Sequence, residues 1–335
     1  MLVAEALAPI LPAALPAAII VAGPTCSGKS ALAMELAARH NGTVINADSM
    51  QVYRELRIVT ARPTPADEAR VPHALYGVLP AAETGSVAWW RTAALDAMQA
   101  AMTAGRLPVL CGGTGLYLAA LCRGLTDMPP VNPEARHEAR HLLATEGAPA
   151  LHAKLAAVDP GTAAGLRPND PQRVARAWEV WRGTGRGLAS WQGTPGPPAP
   201  YDFRMVLLDP PRSTLRDAIA RRFATMLEDG ALAEVAALDA QGLDPALPAM
   251  RAHGVPELRD ALHRRATLDE AARRAILSTG QYLKRQATWL RHRPPVDANA
   301  THTIHARFAG PQQFSEREWC DIDSFIRRGG EEHGS

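Results

Sequence analysis

An eight-residue loop near the N-terminus constrains this chain more than any other stretch. It fits the pattern G-x-x-x-x-G-K-[ST] and consists of Gly23, Pro24, Thr25, Cys26, Ser27, Gly28, Lys29 and Ser30. An apolar run at 19–22 precedes it and a helical pattern follows, which is the order that this motif requires. Successive backbone N–H groups and the positive end of the helix form an anion site, so the loop is predicted to hold a phosphate chain. Lys29 adds positive charge, and the Ser30 hydroxyl is predicted to ligate Mg²⁺.

Composition indicates a soluble protein that can bury a core. The 335 residues are 47% hydrophobic and 21% charged, with a net charge of +2, and they suffice for two domains or for one domain with an insertion. Pro9, Pro12 and Pro16 interrupt the apolar N-terminal stretch. We therefore expect no membrane association and a loose leader at 1–16. Four scattered cysteines without a C-x-x-C pair favour reduced thiols, a cytoplasmic location and no structural zinc.

Polar groups follow two further predicted strands. Asp48 and Ser49 come just after an apolar strand at 43–46, and a second glycine-rich turn with Thr114 follows a strand at 107–111. In open α/β sheets the ligand crevice lies outside the carboxyl ends of the strands, so topology alone places Asp48 near the phosphates. The turn with Thr114 is predicted to close around the same diphosphate.

The remaining patterns complete an α/β fold. We predict a helix at 86–104 capped by Ser86, a strand at 203–208, a helix capped by Ser213 that ends at Gly230, a strand at 301–306 and a helix at 315–328. Residues 132–192 show helical patterns, and a proline-rich linker at 193–200 follows them. The predicted fold is a P-loop NTPase-like parallel sheet flanked by helices, with an all-helical insertion. Its parts are 1–131, the insertion 132–200, 201–328 and a disordered tail at 329–335.

Positive charge is local in this chain. Residues 251–293 contain ten Lys or Arg residues against four acids. Within the insertion, Arg173 and Arg176 are three residues apart and share a helix face. Such a distribution suits a polyanion. A small-molecule kinase would explain the phosphate-binding loop, Asp48 and the second glycine turn, but not the basic half.

Seven ordered motifs resemble the tRNA dimethylallyltransferases, or tRNA isopentenyltransferases, of the bacterial type. They are the loop at 23–30, Ala-Asp-Ser-Met-Gln-Val-Tyr at 47–53, Thr-Ala-Arg-Pro at 60–63, Pro72-His73, Gly-Gly-Thr-Gly-Leu-Tyr at 112–117, Asn-Asp-Pro-Gln-Arg-Val-Ala-Arg at 169–176, and Leu-Lys-Arg-Gln-Ala-Thr-Trp-Leu-Arg at 283–291. The resemblance covers about 18–293. It implies transfer of a dimethylallyl group from dimethylallyl diphosphate to N6 of the adenosine 3′-adjacent to the anticodon in tRNA.

The resemblance also assigns roles to individual residues. Asp48 would be the general base, while Thr114, Arg222 and the loop stabilise the leaving diphosphate, with Mg²⁺ held through Ser30. The implied contacts with the tRNA anticodon stem-loop are Asp48, Ser49, Met50, Gln51, Thr114, Arg136, Gln172, Arg173, Val174, Ala175, Arg176, Arg251, His253 and Gly254. The sequence departs from the family pattern at Val59, Val255-Pro256 and Gly280. A cytoplasmic monomer is expected.

Two alternative functions remain at this stage. A small-molecule P-loop kinase would consume a nucleoside triphosphate, and an adenylate prenyltransferase would act on free nucleotides. The Gln172 to Arg176 segment argues against the second, because a free nucleotide needs no additional basic helix.

Overall fold

The computed structural model describes residues 15–126, 128, 131–191 and 196–328. The predicted tail at 329–335 lies outside the described residues, as do most of the predicted leader at 1–16 and residues 193–195 of the predicted linker at 193–200. The described chain divides into two compact units. The core unit contains residues up to Cys122 and from Ala199 onward, and the helical unit is Arg123–Pro198.

A six-stranded parallel sheet organises the core unit. Its strands, in the order β3-β2-β4-β1-β5-β6, all run in the same direction. They are β1 (Ala17–Ala22), β2 (Gly42–Asn46), β3 (His73–Ala74), β4 (Leu107–Gly112), β5 (Asp202–Leu208) and β6 (Thr301–Ile304). The predicted strands at 43–46, 107–111 and 203–208 are confirmed, and β6 ends two residues before the predicted end at 306.

Helices cover both faces of this sheet. The alternate residues of β1 show this, since they belong to two different clusters of buried hydrophobic side chains. Ala18, Ile20 and Ala22 belong to one buried cluster, and Ile19 and Val21 belong to the other. Strands buried on both faces are typical of parallel sheets. The helices of the core unit are α1 (Lys29–Arg39), α2 (Pro65–Arg70), α3 (Val87–Thr103), α4 (Gly115–Cys122), α9 (Arg212–Glu228), α10 (Ala231–Asp239), α11 (Val255–Leu262), α12 (Leu268–His292) and α13 (Glu316–Arg327).

Of the two predicted helix caps, Ser86 is confirmed and Ser213 is wrong, and Ser315 is a further cap. The Ser86 and Ser315 side chains accept hydrogen bonds from the backbone N–H groups of Trp89 and Glu318, which fixes the starts of α3 and α13. Ser213 does not cap α9, since that helix already begins at Arg212 after Pro211. The fixed φ of a proline is compatible with a helix start, and this places Ser213 within the first turn.

The helical unit has its own small core. Its helices are α5 (Pro133–Val158), α6 (Pro160–Ala164), α7 (Pro171–Thr184) and α8 (Leu188–Trp191). Asn132 and Asp170 cap α5 and α7 through their side chains, and Gly147 kinks α5 with a φ of 83°. Leu151, Leu155, Val174, Ala177 and Trp178 are buried together. No helix in the described parts of the chain combines the length and apolar character needed to cross a bilayer.

Gly280 offers a test of the packing around α12. It lies inside this long helix, and a Cβ added there would meet no atom within 4 Å. Because glycine in a helix interior costs about 0.5–1 kcal/mol relative to alanine, Gly280→Ala should raise the free energy of unfolding by about that amount. Urea unfolding measures this gain. Gly28→Ala should instead lower the free energy of unfolding, since a Cβ at Gly28 collides with the Phe308 carbonyl. No gain in Gly280→Ala would mean that α12 is not packed as described.

Candidate functional site

The phosphate-binding loop connects β1 to α1 at the carboxyl edge of the sheet. Gly28 is the residue before α1 and has a left-handed φ of 91°, and Cys26 has a φ of 63°. A side chain at Gly28 would meet the carbonyl group of Phe308. Glycine is therefore required here for both conformation and space. The predicted strand, loop and helix are confirmed by this arrangement.

Two further turns of the same edge are joined by hydrogen bonds. Ala47 N donates to Cys111 O (2.8 Å), and Thr114 N donates to Ala47 O (3.3 Å). The Thr114 Oγ1 atom accepts a hydrogen bond from Ser49 N (3.0 Å). The turn after β2 and the glycine turn after β4 therefore form one connected surface, as the strand ends predicted.

The Asp48 carboxylate is held by one of its two oxygens. Oδ1 accepts a hydrogen bond from Met50 N (2.9 Å), and Asp48 N donates to the buried Asn46 side chain (2.8 Å). Within the described part of the chain, Oδ2 makes no hydrogen bond. This oxygen is available to accept a proton from a bound molecule.

Asp48, the loop and Arg222 line one cleft. The cleft is open to solvent, and its apolar wall includes Val59, Ile219, Phe223 and Met226. An adjoining cleft shares Thr25, Cys26, Asp48 and Arg222 and adds Lys29 and Ser30. The site thus combines an anion-binding end, a carboxylate and an apolar surface.

Arg222 reaches the loop from α9. Its Nη1 donates to Thr25 Oγ1 (3.2 Å), and its Nη2 lies 3.5 Å from Thr60 O. These contacts place the guanidinium at the anion-binding end of the cleft. The role in stabilising the leaving diphosphate that the resemblance assigned to Arg222 stays a prediction.

The sequence did not reveal the function of Gln286. This side chain is only 4% exposed, and its Oε1 accepts a hydrogen bond from Thr25 N (2.8 Å). Its Nε2 donates to Gly113 O (3.1 Å). Gln286 therefore joins the phosphate-binding loop to the second glycine turn. It lies in the quoted motif at 283–291, but nothing in that pattern indicates its partners.

Tyr282 lies one turn before Gln286 and also lines the cleft. Burial raises the pKa of its hydroxyl, and the negative charge of Asp48 adds to this effect. The phenol therefore stays protonated near neutral pH, close to the side chains of Thr114 and Gln286. Its ring packs against His253, with centroids 4.7 Å apart.

Sequence comparisons identify the family. The IPP transferase family model matches residues 51–293, and the Isopentenyl transferase model matches 16–72. A tRNA dimethylallyltransferase of Granulibacter bethesdensis is 60% identical over 92% of this chain and 98% of its own length. This chain belongs to the tRNA dimethylallyltransferase family. Another relative with the same name, from Gluconacetobacter diazotrophicus, is 61% identical over 92% of the chain and 93% of its own length.

Solved structures agree with membership in this family. The tRNA isopentenylpyrophosphate transferase of Bacillus halodurans is 33% identical, with a TM-score of 0.66 over 95% of this chain and 97% of that one. A eukaryotic dimethylallyltransferase acting on tRNA is 25% identical, with a TM-score of 0.78 over 93% of this chain and 80% of its own. The predicted P-loop NTPase-like fold is confirmed.

Ser30, which the sequence predicts to ligate Mg²⁺, offers one hydroxyl oxygen, and oxygen is the ligand type that Mg²⁺ prefers. Burial raises the pKa of the Cys111 thiol to about 11, so this neighbour of Ser30 stays neutral and does not offer a thiolate. In the described ranges, no group of three or more His, Cys, Asp or Glu side chains could enclose a metal ion. A Ser30 hydroxyl with substrate oxygens and water fits Mg²⁺, which prefers oxygen ligands and few protein groups.

The residues that the resemblance predicts to contact tRNA differ in how accessible their side chains are. In the core unit, the Gln51 amide nitrogen already donates to the carbonyls of Thr60 and Ala61 (both 2.9 Å), while Arg251 is exposed. Burial lowers the pKa of His253, so its ring is neutral near pH 7. Gly254 has a φ of 98° and is the N-cap residue of α11.

In the helical unit, Arg136, Gln172 and Arg173 are exposed and Arg176 is partly exposed. Val174 and Ala175 are buried in the core of this unit. Their side chains are therefore occupied by packing, and the exposed neighbours on α7 are the groups that RNA could reach.

The sequence also did not reveal Glu234, which orders one side of the cleft. Its Oε2 accepts hydrogen bonds from the N–H groups of Arg57 and Ile58 (both 2.8 Å), and its Oε1 accepts one from Val59 N (2.9 Å). A carboxylate that accepts several backbone N–H groups holds a turn firmly. The turn before Thr60 is thereby fixed beside Arg222.

Proposed function

We propose that this chain is a prenyltransferase that moves a dimethylallyl group from dimethylallyl diphosphate to tRNA, releasing diphosphate. The observation that carries this proposal is the common cleft of the phosphate-binding loop, Arg222, Asp48 and an apolar wall, in a chain of this family. The acceptor is the exocyclic N6 of the adenosine 3′-adjacent to the anticodon.

The loop and its cations stabilise the leaving group. As the allylic C–O bond breaks, negative charge develops on the diphosphate, and donors fixed before the reaction stabilise that charge most effectively. Lys29, Arg222 and the backbone N–H groups of the loop are such donors, and the Thr114 turn is held beside them by Ser49 and Gln286. Ser30 would hold Mg²⁺, which would supply further neutralisation of the charge on the diphosphate.

Asp48 acts as the general base. The adenine amine is a weak nucleophile because its lone pair is delocalised into the ring, so removal of its proton during bond formation helps. The free Oδ2 atom is suited to this task, while the bond from Met50 N keeps the carboxylate in place. A positioned base of this type contributes about 10² to 10⁴-fold in rate.

The acceptor adenosine must leave the base stack to reach Asp48. This unstacking costs a few kcal/mol and costs less in a loop than in a duplex. The helical unit, with Arg136, Gln172, Arg173 and Arg176 on its surface, supplies contacts to the tRNA backbone. We further propose that the enzyme acts as a monomer in the cytoplasm.

Labelled substrates test the proposed reaction. The protein is incubated with tRNA and either labelled dimethylallyl diphosphate or labelled ATP, and the tRNA is then digested and analysed by mass. We expect one adenosine to gain a five-carbon group and diphosphate to be released. Turnover of ATP alone would support the kinase alternative, and preference for AMP over tRNA would support the adenylate prenyltransferase.

Two arginines of α7 provide a test of RNA binding by the helical unit. The Arg173 side chain is 70% exposed and lies 3.5 Å from Asp170, and Arg176 lies 3.2 Å from Glu179. Arg173→Ala with Arg176→Ala should weaken tRNA binding and reduce the slope of log K against log salt by about 1 to 2, because each lost phosphate contact removes about one released counterion. Filter binding over a salt series measures the slope.

Arg140→Ala with Lys154→Ala is the matched control. Both side chains lie on α5 in the same unit and are exposed, and their loss changes the net charge equally. We expect the slope of this control to stay near that of the wild type. An unchanged slope in the α7 variant would show that Arg173 and Arg176 do not contact RNA.

A further inference from the structure

The segment between β6 and α13 holds the outer side of the phosphate-binding loop. We call residues 305–314 the C-terminal strap. Arg307 Nε donates to Cys26 O (3.0 Å), and Phe308 N donates to Ser27 O (2.9 Å). Two consecutive carbonyl groups of the loop are thus bonded to two consecutive residues of the strap.

The strap is anchored in the core. Phe308 is 2% exposed, and its ring lies 5.4 Å from that of Phe314 and 6.3 Å from that of Trp319. Its carbonyl group lies against Gly28, where no side chain would fit. The backbone of Arg307 is therefore held in a fixed position beside the loop.

The Arg307 side chain also faces the anion-binding end of the site. It lines the same cleft as Lys29, Ser30, Asp48 and Arg222. Its Nε is occupied by Cys26 O, and no carboxylate in the described part of the chain forms an ion pair with it. A half-buried guanidinium without an acidic partner, in a cleft that already contains Lys29 and Arg222, is suited to an anionic ligand.

We propose that Arg307 is a further diphosphate-binding residue, which holds the Cys26 carbonyl through Nε and the diphosphate through its Nη groups. In an anion-binding loop the N–H groups point inward and the carbonyls outward. In the described part of the chain the Nη groups of Arg307 make no hydrogen bond, and Arg307 lines the cleft together with Lys29 and Ser30, so these groups can reach a diphosphate bound there. This inference rests on the proposed function, and it concerns a segment beyond residue 293, where the match to the IPP transferase family model ends.

Titration calorimetry with inorganic pyrophosphate and Mg²⁺ at constant ionic strength tests the proposal. Arg307→Gln should weaken pyrophosphate binding about 10-fold or more, as expected for a lost charge-assisted contact. Arg307→Lys keeps the charge and should lose less. Arg317→Gln removes the same charge from an exposed position on α13 and should bind pyrophosphate like the wild type.

A second measurement on the wild-type protein does not depend on the folding of a variant. Phenylglyoxal modifies accessible arginines, and peptide mass analysis should show that Mg²⁺ with pyrophosphate protects Arg307 but not Arg317. Binding within about 2-fold of the wild type in Arg307→Gln, equal weakening in Arg317→Gln, or modification of Arg307 that pyrophosphate does not reduce would overturn the proposal. Failure to transfer a dimethylallyl group would instead contradict the proposed reaction, because pyrophosphate binding is measured without it.

Discussion

Asp48→Asn lowers the turnover of dimethylallyl transfer about 100-fold or more, while substrate binding stays close to that of the wild type. The amide oxygen of asparagine can still accept the hydrogen bond that Met50 N donates to Oδ1. The turn after β2 therefore keeps its shape. The other carboxylate oxygen is replaced by an NH₂ group, which cannot accept a proton, so the loss falls on the chemical step.

Single-turnover kinetics with saturating dimethylallyl diphosphate and tRNA measure this effect. Asp229→Asn is the control, because Asp229 lines the adjoining cleft and its replacement removes the same charge. We expect that control to change turnover by less than about 3-fold, as is usual when a residue makes no contact with the reacting atoms. Near-normal turnover in Asp48→Asn would exclude Asp48 as the general base.

Gln286→Leu should lower the free energy of unfolding by about 2–4 kcal/mol, because it leaves two buried backbone groups without partners. Thr25 N loses its acceptor and Gly113 O loses its donor, and both belong to the turns around the site. Urea unfolding of the wild type and the variant measures the difference.

The control for this prediction is Gln281→Leu, an exposed position on the same helix. It should change stability by less than about 0.5 kcal/mol, as is typical of surface substitutions. Equal stability of Gln286→Leu and Gln281→Leu would mean that the two glycine turns are held together by other contacts. Gln286→Glu adds a further comparison, since its second carboxylate oxygen would face Gly113 O and cannot donate to it.

The local parts of the fold could be predicted from the sequence. The apolar run before Gly23 and the motif itself predicted β1, the loop and α1, and the residues after β2 predicted the position of Asp48 at the same edge. These predictions succeeded because a parallel sheet brings its strand ends together regardless of the rest of the chain. The Ser213 cap was wrong because the preceding proline was the stronger local signal.

The contacts that complete the site could not be predicted in the same way. Gln286 and Arg307 approach the loop from sequence separations of 261 and 281 residues, and Glu234 holds a turn that lies 175 to 177 residues earlier in the chain. A single sequence has no periodicity or spacing that relates such distant positions. Only the packing of α10, α12 and the C-terminal strap against the sheet brings them together.

The position of β1 has a consequence for synthesis of this protein on the ribosome. β1 pairs with β4 on one side and with β5 on the other, so the first strand to emerge keeps one edge unpaired until residue 208 has been made. Closing contacts across such long separations is slow and leaves strand edges exposed in the meantime. A nascent chain that ends before Arg307 lacks the strap residues that donate hydrogen bonds to Cys26 O and Ser27 O. We therefore expect prematurely terminated protein to be inactive and to depend on chaperones.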